Sequence, residues 1–96
     1  MTSTPVRGTA ELSFSRAEAW VVHDALRAAV RGAAESDEPL EPEVDLLRSI
    51  EAGEEQFSHG ETEVVRDALV SYLTDAPLRD QKPGRDAIRR IRSELR

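Results

Sequence analysis

A seventeen-residue stretch occurs twice in this chain, and that repetition restricts the fold more than any other feature. Residues 14–30 read FSRAEAWVVHDALRAAV and residues 57–73 read FSHGETEVVRDALVSYL. At an offset of 43, eight of the seventeen positions are identical: Phe14/Phe57, Ser15/Ser58, Glu18/Glu61, Val21/Val64, Val22/Val65, Asp24/Asp67, Ala25/Ala68 and Leu26/Leu69. A repeated unit restricts architecture, because two similar amphipathic pieces must bury similar faces. It says nothing about activity.

Each copy opens on a helix-start signal. In Ser15-Arg-Ala-Glu18 and Ser58-His-Gly-Glu61 the serine oxygen accepts from the third helical N–H, and the glutamate reaches back to the serine N–H. Ahead of the first box, Gly8 to Phe14 alternates: Ala10, Leu12 and Phe14 on one side, Thr9, Glu11 and Ser13 on the other. That period of two predicts a short half-buried strand. Residues 1–7 are polar and read as a frayed start. Glu54 to Phe57 is a weaker extended lead-in to the second box.

The first helix runs from Ser15 to about Ala34. At about 100° per residue, Glu18, Val21, Val22, Ala25, Leu26, Ala29, Val30 and Ala33 share one broad sector, and Trp20, Asp24, Arg27 and Arg31 lie opposite. An acidic loop, Glu35 to Glu41, follows. Pro42 suits the start of a second helix, Glu43 to about Ala52, which Gly53 ends as a left-handed cap. The third helix spans about 60–74. Thr74 to Gly84, with two prolines and a glycine, reads as a loop. The fourth helix spans about 85–95, with Ile88, Ile91 and Leu95 as a narrow apolar stripe.

The second and fourth helices align faintly at an offset of 44. The expected product is therefore one all-α domain over residues 1–96: four helices from two αα pseudo-repeats, 8–52 and 53–96. The two lead-ins are expected to pair as a short two-stranded β ribbon.

Charge separates the chain into an acidic body and a basic end. Residues 1–76 hold sixteen acids and six arginines, net −10; residues 77–96 hold three acids and seven basic residues, net +4. Only Lys82 among thirteen basic residues is a lysine. An acid-rich, lysine-poor composition suits concentrated salt, where the Debye length falls to about 3 Å at 1 M and self-repulsion is screened. A GC-rich genome favours the same residues and is the competing explanation. The chain has no cysteine, hence no disulfide, thiol nucleophile or zinc–thiolate site. With no signal-peptide-like start or membrane-length apolar run, the expected location is cytoplasmic.

The run LLRSIEAGEEQFSHGETEVVRDALVSYL, with the earlier ELSFSRAEAWVVHDAL, resembles a family of small acidic haloarchaeal proteins that is uncharacterised, a domain of unknown function. The resemblance covers about residues 10–95 and rests on packing and capping motifs. It implies a salt-loaded archaeal cytoplasm and carries over no catalytic or binding residue.

Nothing in the sequence converges on a reaction, so no catalytic residue, metal ligand or cofactor is assigned. His23 and His59 are expected to be surface or boundary histidines. The many paired carboxylates fall in loops and helix starts, where they solvate the surface and complement helix dipoles. Asp24 is expected to pair along its helix with Arg27 or Arg31. The expected function is that of a non-enzymatic interaction or regulatory protein, with no membrane and no small-molecule substrate. The candidate protein interface is Trp20, Asp24, Arg27 and Arg31. For the tryptophan three placements compete: cover in cis by the N-terminal segment or the fourth helix, a homodimer or partner contact, or simple exposure. The alternative function is nucleic-acid binding through the stripe Arg85, Arg89, Arg92 and Arg96. Set against it is pairing in cis, in which Arg85, Arg89 and Arg92 neutralise the acidic body.

Overall fold

A computed structural model describes residues 9–35 and 41–95. Residues 1–7, read above as a frayed start, and most of the expected loop from Glu35 to Glu41 lie outside the described residues. The order is β1 (Thr9–Glu11), α1 (Arg16–Glu35), α2 (Glu41–Glu51), β2 (Gln56–Ser58), α3 (His59–Leu73) and α4 (Leu78–Glu94). This is a mostly all-α fold with a two-stranded antiparallel sheet.

Both capping boxes form. The Ser15 N–H donates to Glu18 Oε1 at 2.7 Å and the Glu18 N–H donates to Ser15 Oγ at 3.1 Å. The second box repeats this, with 2.8 Å from the Ser58 N–H to Glu61 Oε1 and 3.0 Å from the Glu61 N–H to Ser58 Oγ. Each box satisfies two backbone donors that a helix start leaves without partners.

The lead-ins pair with Thr9 opposite Ser58, Ala10 opposite Phe57 and Glu11 opposite Gln56. The Leu12 N–H donates to the Glu55 carbonyl at 2.7 Å, which continues that register. Leu12 and Glu55 occupy equivalent places in the two stretches. The lead-ins nevertheless differ: β2 runs directly into Ser58, whereas β1 ends four residues before Ser15. Phe57 is buried, while Phe14 is only partly so. Gly53, at φ +77°, makes the turn after α2 that returns the chain to β2.

α1 packs against all three other helices. Its Val21, Val22, Ala25 and Leu26 meet Leu46 of α2, Val65 and Leu69 of α3, and Ala87 and Ile91 of α4 in one core, which Leu12 and Phe57 close from the ribbon side. Burying a Val, Leu, Ile or Phe side chain contributes about 1.5–3 kcal/mol. This core is therefore the main source of stability, and the rest of α1 is left facing outwards. Among the described residues, no helix is long and apolar enough to cross a membrane.

The fourth helix corrects the sequence reading. It begins at Leu78, seven residues before the expected start, and takes in Pro83 and Gly84. Its N-terminus has no side-chain cap. Contacts with the end of α3 hold it instead. Gln81 Nε2 donates to the carbonyls of Leu73 at 2.9 Å and Ala76 at 3.2 Å, and the Tyr72 hydroxyl donates to Asp80 Oδ2 at 2.7 Å. Gly84 is buried so closely that a Cβ there would lie 2.5 Å from Leu73 Cδ2. Tertiary contact thus outweighs a local signal that reads as loop. At its other end α2 begins at Glu41, two residues before the expected Glu43.

Candidate functional site

Because the apolar sector of α1 is spent on the core, Arg16, Trp20, Asp24, Arg27, Arg31 and Glu35 form a row along its outer side. The spacing of four, four, three, four and four residues keeps them on one face. Trp20 is 60% exposed, and the other two exposed large apolar side chains among the described residues, Val70 and Leu78, belong to α3 and α4. The fourth helix does not cover it: outside its own helix, the neighbours of Trp20 come from α2. The N-terminal segment, the other expected cover, lies outside the described residues. With Arg16, Ala19, His23, Ile50 and Glu51, it lines an open groove of about 360 Å³ between α1 and α2.

The indole is exposed, but it is not loose. His23 meets it edge-on, with ring centroids 5.8 Å apart and planes at 84°. The His23 ring is fixed in turn by Glu51, with Nε2 to Oε2 at 3.0 Å. The contact chain Trp20–His23–Glu51 ties the tryptophan to α2. His23 Nδ1 is buried without a hydrogen-bond partner, and the nearest carboxylate oxygen, on Asp24, is 3.7 Å away. Asp24 thus leans toward His23 and does not form the expected pair with Arg27 or Arg31. Among the described residues Arg16, Arg27 and Arg31 make no ion pair. Arg27 and Arg31 flank a second depression with Asp24, Ala28 and Tyr72.

The arginine stripe of α4 is placed differently. Arg85, Arg89 and Arg92 are exposed on one face; Arg96 lies outside the described residues. Asp86 borders that face and takes Lys82 at 2.8 Å and Arg89 at 3.4 Å. The Lys82 hydrogen bond is the main reason that the Asp86 carboxyl lies below the usual range. The pairing in cis expected of Arg85, Arg89 and Arg92 is made instead by Arg90. Its Nη2 lies 3.1 Å from Glu18 Oε1, and Glu18 is only 5% exposed. Sequence reasoning missed this pair, although its signal was present. Glu18 falls in the apolar sector of α1, and a carboxylate drawn into a core requires a cation. His59 stands 3.8 Å from Glu63, and no group of three potential metal ligands converges among the described residues.

A match to a Family of unknown function (DUF7853) extends over residues 12–92. The chain belongs to that family. The matched span takes in both capping boxes, Trp20, Glu18 and Arg90, and stops short of Arg96. Neither a curated protein nor a solved structure matches the chain.

Proposed function

We propose that this chain is a small non-enzymatic interaction or regulatory protein of a salt-adapted, haloarchaeal cytoplasm, and that the outer face of α1 around Trp20 is its contact surface. The observation that carries this reading is a tryptophan 60% exposed yet held by His23 and Glu51. Tryptophan and arginine dominate interface hot spots. Here a positioned indole stands among three arginines with no ion-pair partner among the described residues. The salt-adapted setting is supported by nineteen acids and a single lysine. The non-enzymatic reading is supported by Glu18, a buried acid fully engaged by Ser15 and Arg90.

Trp20→Glu tests the reading. It leaves helicity near that of the wild type, because the indole lies outside the core, and it abolishes retention of binding partners or self-association. A variant that unfolds, or one that retains every contact, overturns it.

Nucleic-acid binding through Arg85, Arg89, Arg92 and Arg96 is the second reading, favoured by the exposure of the first three on one face. Asp86 beside them and the net −10 of residues 1–76 oppose it. Phosphate contacts also weaken steeply with salt, with a logarithmic slope of about −0.9 per contact. Gel-shift binding that survives molar salt and disappears when these arginines become glutamine would move the assignment to α4.

The paired capping boxes and the register that sets Leu12 opposite Glu55 support an origin by duplication of a unit of some 43 residues.

A further inference from the structure

The outer face of α1 is complementary to itself when reversed. In order it reads Arg16, Trp20, Asp24, Arg27, Arg31, Glu35. Residues 24 and 27, 20 and 31, and 16 and 35 all have numbers that sum to 51. Laid antiparallel against a second α1 about a twofold at the level of Ala25 and Leu26, Asp24 meets the partner's Arg27, Trp20 meets the partner's Arg31, and at the ends Arg16 comes within reach of the partner's Glu35. Symmetry makes every contact twice, as an isologous interface requires.

We propose that this face pairs with the same face of a second copy of the chain, in that antiparallel register. The inference rests on the reading of the Trp20 face as a contact surface and names its occupant. Three observations favour a second copy. First, the face is open: Arg16, Trp20, Arg27, Arg31 and Glu35 are exposed, and the Asp24 side chain is 44% exposed. Second, among the described residues Arg16, Arg27 and Arg31 lack ion-pair partners within their own subunit, and Asp24 does not use Arg27. The face thus holds both members of each pair, yet its own helix leaves them apart. Third, the spacing Trp20, Asp24, Arg27, Arg31 is four, three, four, which keeps the indole and both signs of charge on one stripe that a reversed copy can match.

Other arrangements lose these contacts. Parallel pairing sets Arg27 on Arg27 and Arg31 on Arg31. A shift of one turn in one direction brings Arg16 against the partner's Arg31. A shift in the other direction keeps Asp24 opposite an arginine, the partner's Arg31, but leaves Trp20 facing the partner's Glu35 and Arg27 facing the partner's Ala28. In the proposed register each indole lies over a guanidinium, the geometry of a cation–π contact. A single pair of helices about 30 Å long is small for an interface, so the dimer forms with an affinity on the order of micromolar or weaker.

Sedimentation velocity on the full chain, from low micromolar to near-millimolar concentration, tests the proposal with two variants at exposed positions. The wild type dimerises. Asp24→Arg sets arginine against the partner's Arg27 at both ends of the twofold and weakens dimerisation roughly tenfold or more. Adding Arg27→Asp exchanges the charges and restores it. Circular dichroism verifies that both variants stay helical. A wild-type protein that remains monomeric throughout, or a dimer indifferent to Asp24→Arg, overturns the proposal. The Trp20→Glu retention assay separates the two readings. A monomeric wild type whose partner retention still depends on Trp20 removes self-pairing and leaves the contact surface standing; retention that ignores Trp20 removes both.

Discussion

At 5% exposure, the carboxylate of Glu18 meets the Ser15 N–H on one side and the Arg90 guanidinium on the other. Its counterpart Glu61 makes the same cap at an exposed site and, among the described residues, pairs with no arginine. The two glutamates therefore differ in what they hold together. Glu61→Ala should cost about 1 kcal/mol, as loss of a cap does. Glu18→Ala should cost about 2–3 kcal/mol, because Arg90 loses its partner and α1 its tie to α4. Denaturant titrations of the two variants side by side measure the difference. Tyr72 offers a second test, since it is the sole tyrosine. Burial first, then its hydrogen bond to Asp80, favour the neutral phenol and push its pKa from 10.0 to about 12. A folded-state pKa raised in this way contributes stability that is whole below pH 10 and is lost as pH climbs towards about 12. The phenolate absorbance of the folded protein should thus rise about two pH units later than that of the unfolded chain, with stability falling over the same interval. A midpoint near 10 in the folded protein would mean that neither the burial of Tyr72 nor its bond to Asp80 holds.

The helices divide into those whose boundaries are written locally and one whose boundary is not. The Ser–Glu boxes are complete within four residues, so the starts of α1 and α3 could be read from the chain. Alternation over Ala10, Leu12 and Phe14 likewise marked the ribbon, and Gly53 the left-handed turn. The start of α4 was illegible because what holds it, Gln81 on the carbonyls of Leu73 and Ala76 and Gly84 against Leu73, joins α4 to the end of α3 and the turn after it. The same limit hid the candidate site. That Trp20 lies opposite the apolar sector follows from helical spacing, but its tether through His23 to Glu51 spans 28 residues and belongs to the packing of α1 on α2. Gly84→Ala tests the account of α4. Alanine is the better helix former by about 1 kcal/mol. Here its Cβ would meet Leu73 at 2.5 Å, and overpacking of this kind costs typically 1–3 kcal/mol. The net outcome should be a loss of about 1 kcal/mol, measured by chemical denaturation. A gain in stability would place residue 84 in a loose segment, as the proline and glycine suggest.

For the molecule as a whole, charge and surface act together. A net charge of −6 disfavours both the compact state and the approach of a second copy. Salt should therefore raise the melting temperature strongly between dilute buffer and molar KCl; a flat profile would favour genome composition as the origin of the acids. Against that acidic background the α1 face is a local exception, with three arginines around one indole. Trp20 is also the only tryptophan, so its emission reports on this face alone. The most direct test is that emission in a dilution series of the wild-type protein. Self-pairing through α1 predicts a water-exposed spectrum at low concentration that moves to shorter wavelength as concentration rises, in step with the change in mass, and for Asp24→Arg the same movement displaced to roughly tenfold higher concentration or beyond. An emission that stays that of a solvated indole while the protein dimerises, or that is already buried in the dilute monomer, would contradict it.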